Sequence, residues 1–390
     1  VAHEAAATGG FNAANGFLTS HWGYDDGFDE FEPFVASVGS SIYSRYLATH
    51  PTVEAWLQLA TSPIRRLSSW LQGKTDERPF LDTSRMFDVE HAATSFIEER
   101  ESPFFLWIHY MDAHTPYVPA PRYIREVSSN VLGTHRMIHA HTRTGLGWEV
   151  GERTLSDLRT LYQAAVRQID ASIGRLLSAL SENGVRDETA VVVAGDHGEE
   201  FQDHGHLAHY PKLYDELIRV PLVVDVPGTD GRRIDEHVGL DSVPPTVTDL
   251  LDIEPPEEWC GETLTPSVFE GEAPTDEPVV TVTVRGEEVT TQPIPRSLRD
   301  GDLLVSVRDE AWTYIENIDQ GTEELYYRPD DPTEQTDLSG DGGSEKKRVL
   351  DRFGSIAEGH ARLLRSQTGE ESDRDVDEDL EQRLEALGYR

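Results

Sequence analysis

The densest run of side chains able to do chemistry lies between positions 196 and 216: Asp196, His197, Glu199, Glu200, Asp203, His204, His206, His209, Lys212, Tyr214 and Asp215. Asp196 and His197 place a hard carboxylate oxygen beside an imidazole nitrogen, a pairing suited to Ca²⁺, Mg²⁺, Mn²⁺ or Zn²⁺. The plainer alternative is a strand-end Asp that caps the next helix, with a His packed beside it. His204, His206 and His209 are candidates for further ligands or substrate contacts. Any one alone reads as a solvated loop residue, and their clustering is what favours a site. Lys212 is one of only four lysines, and a Lys retained in a chain that otherwise uses Arg suits a compact point charge for an anionic oxygen.

A second constellation, "HYMDAHTPY" at 109–117, holds Asp112 and His114 in a turn closed by Pro116. His114 there can protonate a leaving-group oxygen or hold an anionic substrate, while Asp112 reads as a turn-shaping residue. Cys260, in "EWCGETL", has no His close in sequence and no strand-to-helix elbow, so it reads as an ordinary small residue. Asp25 and Asp26 sit in a Gly-rich turn and read as solvated acids.

The elements that must position these residues follow from apolar spacing. "PFFLWIHYM" (103–111) and "TAVVVAGDHG" (189–198) read as buried strands, each ending at one of the two constellations, and "RVPLVVDVPG" (219–228) reads as a third. In open α/β sheets, ligands gather outside the carboxyl ends of strands. Residues 154–182 carry a 3.6-residue apolar stripe ending at Asn183-Gly184, which predicts a helix. Helical spacings also recur between 51 and 100, as at Trp56, Leu57, Ala60, Phe96 and Ile97. After about Pro255, β-branched segments at 278–284, 302–307, 312–316 and 324–327 predict a small antiparallel sheet, with a covering helix at 343–365. The expected fold class is therefore α/β, with a mixed, mostly parallel sheet sandwiched by helices and a small antiparallel C-terminal subdomain. The expected division is 1–255, 256–370 and an acidic tail at 371–390.

Composition narrows the partners. The 390 residues hold 72 acidic against 34 basic side chains, a formal net charge of −38, and this field repels nucleic acid and anionic membrane surfaces. With 30 of those 34 basic residues Arg, the acidic surface is nearly free of Lys. Molar salt, with a Debye length of about 3 Å, removes the self-repulsion of such a surface, so the expected setting is a halophile's. A single cysteine excludes an intramolecular disulfide. No apolar run approaches a membrane span, and the start of the sequence shows no positively charged or apolar leader region; any address would precede Val1, and a cytoplasmic location is slightly favoured.

At these residues the chain resembles the sulfatases, members of the alkaline phosphatase-like superfamily. The resemblance is carried by "PFFLWIHYMDAHTPY", "VVVAGDHGEEFQDHGHLAHYPKLYDELIRVPLVV", "LDSVPPTVTDLLDIEPPEEWCGETL" and "ELYYRPDDPTEQTDL", in the family's order, with "GYDDGFDEF" and "YQAAVRQIDASIGRLLSAL" between. It covers nearly the whole chain. It implies an alkaline phosphatase-like fold and hydrolysis of a sulfate ester, with a divalent metal, usually Ca²⁺, and a formylglycine nucleophile made from Cys or Ser. Carried over residue by residue, Asp196 and His197 are metal ligands, His114 contacts the sulfate or leaving group, and Lys212 binds sulfate. The spacing of Lys212 to the Tyr-Asp-Glu segment is about two residues short of the family's, so His209 or His206 is an alternative occupant of that place.

The family also has an N-terminal strand ending in an Asp pair, followed by Cys/Ser-x-Pro-x-Arg, and neither stands in this sequence. Thr61-Ser62-Pro63-Ile64-Arg65 has the Pro and Arg spacing but lies on the wrong side of the Gly-Phe-Asp turn, and is read as a decoy. The expectation is a sulfatase-type hydrolase lacking its N-terminal part and acting on a sulfated small molecule or glycan. The alternatives are a phosphatase, phosphonate-ester hydrolase or phosphotransferase of the same superfamily, and a non-catalytic binder of sulfated or phosphorylated glycans.

Overall fold

The structure is a computed structural model and describes residues 6–13, 15, 18–20, 23–34, 85–100, 103–129, 134–145, 149–257, 259–285 and 301–367. The helical spacing at 56–60, the 61–65 string and the tail at 371–390 lie outside these residues. Two compact units divide at Asp187 and Glu188.

In the first unit, β1 (Ala7–Asn12), β2 (Glu30–Glu32) and β3 (Phe104–His109) form a parallel sheet in the order β2-β1-β3. The apolar run at 103–111 becomes β3, and its last residue, His109, opens into the turn carrying Asp112 and His114. β1, "ATGGFN", carries two glycines for a packing reason: a Cβ on Gly9 would lie 2.8 Å from the Phe96 ring, and one on Gly10 would lie 2.7 Å from Phe31. Phe96 belongs to α1 (Met86–Glu98), whose Val89 and Ala93 close over Phe11. After α2 (Pro121–Val127) and α3 (Thr134–Gly145), the predicted long helix runs as α4 (Glu152–Glu182), burying Leu158, Leu161, Ala165, Leu176 and Leu180. Its buried Gln168 accepts from the Ala120 amide at 2.8 Å and donates to Asp112 Oδ1 at 2.8 Å, which ties the turn after β3 to the helix.

In the second unit, β4 (Val191–Ala194) pairs antiparallel with β7 (Leu222–Asp225), with Val193 opposite Val223. A parallel pairing was the expectation. The connection between the two holds only a two-residue hairpin, β5 (Glu200–Phe201) with β6 (Leu207–Ala208), and the single-turn α5 (Asp215–Ile218), so it lacks the crossover helix a parallel return usually employs. Then come α6 (Val243–Leu250), α7 (Thr265–Phe269) and the C-terminal sheet: β8 (Val279–Arg285), β9 (Asp302–Arg308), β10 (Trp312–Asn317) and β11 (Thr322–Tyr327), antiparallel in the order β11-β10-β9-β8. α8 (Ser344–Gln367) packs Phe353, Ala357 and Ala361 on Leu303, Val305, Tyr314 and Leu325. The antiparallel sheet and its covering helix thus form where apolar alternation predicts them.

The boundary read from the sequence at 255/256 falls inside this second unit. Leu213 packs with Leu304, Ile315 and Tyr326, and Asp215 pairs with Arg308, so the 196–216 segment shares its core with the C-terminal sheet. Among the described residues no helix is long and apolar enough to cross a membrane.

Candidate functional site

β4 ends at Ala194, and the Gly195 amide still donates to the Pro221 carbonyl at 3.0 Å, holding the strand end before the chain turns. Asp196 and His197 follow, their side chains 65% and 43% exposed. The His197 amide donates to Asp196 Oδ1 at 3.0 Å, and His197 Nδ1 lies 2.8 Å from the Gly198 carbonyl. A carbonyl only accepts, so the proton sits on Nδ1 and the Nε2 lone pair is left outward, the tautomer of a ligating imidazole. Nε2 stands 3.9 Å from Asp196 Oδ2. One exposed carboxylate oxygen and one imidazole lone pair at this separation fit two ligands of one divalent cation. Among the described residues no group of three His, Cys, Asp or Glu side chains converges as a metal site, so the pair supplies part of a ligand set.

Gly198 makes the turn sterically feasible. Its amide donates to the Leu217 carbonyl at 2.7 Å, and a Cβ on it would lie 1.9 Å from the Glu216 carbonyl oxygen. The close approach of α5 therefore requires glycine at this position.

Behind the exposed pair stands a layer of buried acids. Glu199, almost wholly buried, faces His209 Nδ1 at 3.4 Å, and the His209 ring lies 4.5 Å from that of His197. Glu200 is fully buried; its Oε1 accepts the amides of His204 and His206 at 2.9 and 2.7 Å, and its Oε2 meets Lys212 Nζ at 3.1 Å. Lys212 Nζ also donates to the His204 carbonyl at 2.6 Å, and its side chain is 6% exposed. Its charge is thus directed at Glu200 and the hairpin. The spacing that offered His209 as an alternative coincides with His209, not Lys212, standing against His197.

His204 has acceptors at both ring nitrogens: Glu216 Oε1 at 2.5 Å from Nδ1 and the Glu334 carbonyl at 2.9 Å from Nε2. It stacks on Tyr214 with ring centroids 3.7 Å apart. Burial disfavours the charged ring, but the Glu334 carbonyl and the Glu216 carboxylate outweigh it and hold the His204 pKa above its ordinary value. These contacts hold the His204 ring in place, so its role is structural. His206 stacks on Tyr210 at 4.9 Å, with Nδ1 3.4 Å from the His204 carbonyl.

His114 belongs to the first unit, in the turn after β3, its Nδ1 2.6 Å from the Thr115 carbonyl beside the cis Thr115–Pro116 bond. In the second unit, Asp196, His197, His209 and Tyr210 border a cavity of about 1160 Å³ that extends to Arg308 and Arg328. Cys260 is exposed. The positioning roles of Glu199, Glu216 and Glu334 went unread in the sequence; Glu199 adjoins Asp-His-Gly and could have been flagged, whereas Glu334 lies 130 residues from the histidine its carbonyl holds.

A family model described as Sulfatase matches residues 9–253. The multifunctional alkaline phosphatase superfamily protein PehA of Trinickia caryophylli is 29% identical over 233 residues, 51% of this chain and 44% of that protein. The uncharacterized sulfatase YidJ of Escherichia coli is 26% identical over 45% of this chain and 38% of its own length, and the choline-sulfatase of Rhizobium meliloti 24% over 68% and 51%. The chain thus spans less than half the length of PehA and YidJ. Among solved structures, a protein in complex with its substrate D-glucosamine-2-N,6-O-disulfate aligns over 74% of this chain and 71% of its own, with TM-score 0.55 and 19% identity. The phosphonate monoester hydrolase of Agrobacterium radiobacter aligns over 73% and 61%, with TM-score 0.55 and 21% identity. At these identities the likeness to solved structures is one of fold.

Proposed function

The chain belongs to the sulfatase family, and from that premise we propose that it is the metal-binding and C-terminal part of a sulfuric ester hydrolase acting on a sulfated small molecule or glycan. The observation that carries the proposal is the exposed Asp196–His197 pair at the end of β4, with His209 4.5 Å from His197. Sulfatases generally use a divalent metal; here Asp196 Oδ2 and His197 Nε2 would hold it, with Ca²⁺ the proposed ion. When bound, such an ion neutralises charge on sulfate oxygens and favours attack at sulfur.

The chain's own residues divide the remaining work. His197 keeps its Nε2 lone pair outward because its Nδ1–H donates to the Gly198 carbonyl. Glu199, behind His209, meets its Nδ1 at 3.4 Å and fixes the ring beside His197, where it is the proposed contact for a sulfate oxygen. His206 lines the neighbouring hairpin as a substrate contact, and His114 is the proposed leaving-group contact on the family resemblance. Lys212 acts through Glu200, which orders the 204–206 backbone. The near absence of Lys from the acidic surface supports a high-salt setting.

The test, made with the chain joined to the N-terminal segment that holds the family's nucleophile, is sulfate release from aryl and carbohydrate sulfate esters in molar KCl with Ca²⁺, beside a panel of phosphate and phosphonate esters. Loss of sulfate release in Asp196→Asn and His197→Ala is the expected result. Turnover of phosphate or phosphonate esters alone would favour the second reading, a phosphatase or phosphonate-ester hydrolase of the same superfamily. Ligand uptake without turnover of any ester would favour a non-catalytic binder.

A further inference from the structure

The cavity that Asp196 and His197 border is also walled by Arg308, Arg328 and His237. The Arg308 side chain is 7% exposed, and its Nη2 meets Asp215 and, at 3.4 Å, Glu334. Arg328 Nη1 donates to the Asp309 carbonyl at 3.2 Å and reaches His237 Nε2 at 2.7 Å, while its Nη2 stands 3.9 Å from Asp215. A guanidinium has no lone pair to offer, so His237 Nε2 is the acceptor and the His237 proton sits on Nδ1. Burial and the neighbouring Arg328 and Arg308 lower the His237 pKa, in keeping with a neutral ring.

This arrangement leaves Arg308 Nε–H, Arg328 Nε–H and His237 Nδ1–H buried with no hydrogen-bond partner among the described residues. Native interiors seldom leave such donors unpaired, and these three belong to adjoining side chains in the wall of one cavity. Two of them are on guanidinium groups, whose charge-assisted bonds favour anionic oxygen. The carboxylates nearby, Asp215 and Glu334, are engaged by Nη2 of Arg308 and leave both Nε donors unanswered.

We propose that Arg308, Arg328 and His237 form an oxyanion subsite, distinct from the Asp196–His197 pair, that takes a sulfate or carboxylate group. Its source is either free inorganic sulfate or a second anionic group on a sulfated substrate. The second source rests on the sulfatase reading above; the subsite itself does not.

Equilibrium dialysis of the full chain with radiolabelled sulfate tests it, in molar KCl with EDTA so that uptake through a bound divalent ion is silenced. The expected result is saturable uptake that falls about tenfold or more in Arg328→Gln, and several-fold in His237→Phe, which keeps the ring volume and removes the donor. His237→Phe keeps the test decisive should Arg328→Gln fail to fold, with thermal transitions confirming the folded state. Displacement of the label by a carboxylated aryl sulfate more readily than by the same aryl sulfate without the carboxylate assigns the subsite to substrate; equal displacement assigns it to free sulfate, and both keep it. No uptake, or uptake unchanged in His237→Phe, overturns the proposal. Because metal is absent here, this outcome stands apart from failure of sulfate release in the Ca²⁺ assay.

Discussion

Lys212→Met separates a structural lysine from a substrate-binding one. Glu200, its partner, is fully buried, so removing the ammonium strands a carboxylate that keeps only the His204 and His206 amides. Breaking a buried pair from one side costs about 3–5 kcal/mol, and the two remaining donors place Lys212→Met near the lower end. Glu200→Gln leaves the Lys212 charge with the His204 carbonyl as its protein acceptor and belongs near the upper end. In the double variant neither charge is stranded, so its cost falls below the sum of the singles by about 1–3 kcal/mol. Urea unfolding in molar KCl reads these differences, since a buried pair is little screened by salt. His209→Gln, which keeps an N–H donor for the buried Glu199, should cost less than about 1 kcal/mol while weakening sulfate-ester binding. The opposite pattern, Lys212→Met costing less than about 1 kcal/mol yet abolishing ester binding, would refute the reasoning.

Gly198→Ala should cost more than about 2 kcal/mol in the same unfolding assay, because its Cβ would sit 1.9 Å from the Glu216 carbonyl and α5 would have to move. Ca²⁺ should raise the thermal midpoint, by about 2.7 kcal/mol of stability at a hundredfold excess over Kd, and Asp196→Asn should abolish the shift. His204 has its folded pKa raised above 6.5, so its contribution is fully present below about pH 6.5 and is lost as pH rises through the folded value; His204→Gln should flatten that alkaline slope in pH-dependent melts. His141 runs the other way: burial, partly offset by the Tyr117 carbonyl, lowers it from 6.5 to about 4, so stability falls as pH drops from about 6.5 toward 4, and His141→Phe should remove that acid limb.

The strand-end Asp-His pair was legible because the apolar run Ala190–Ala194 ends one glycine before Asp-His-Gly, a local pattern with a local meaning. The C-terminal sheet was legible for the same reason. Lys212 was not, since rarity of a residue type says nothing about its partner, and Glu200 lies in a hairpin too short for alternation to reveal which side is buried. Glu334 sits in the polar string "DDPTEQT" with φ 54° and yet is 1% exposed, because Arg308 and the Asp215 amide supply its partners. β1 escaped notice because its two glycines are poor strand formers; Phe96 and Phe31 close over the space where their side chains would be. The direction of β7 follows from a connection whose only helix is the single-turn α5, which the strand's own residues do not encode.

The contacts that hold the hairpin beside Asp196 are distant in sequence: His204 to Glu334 across 130 residues, the Asp215 amide to Glu334 across 119, and Tyr214 to Glu324 across 110. Loop closure of this span carries a large entropic cost before any contact repays it, so the segment should order late and slowly. During synthesis, at about 5–20 residues per second, Asp196 and His197 would leave the ribosome many seconds before Glu334, and the metal-binding turn would wait for its scaffold. A nascent chain arrested before position 334 should therefore expose the 196–216 segment to protease, and one arrested after α8 has emerged should protect it.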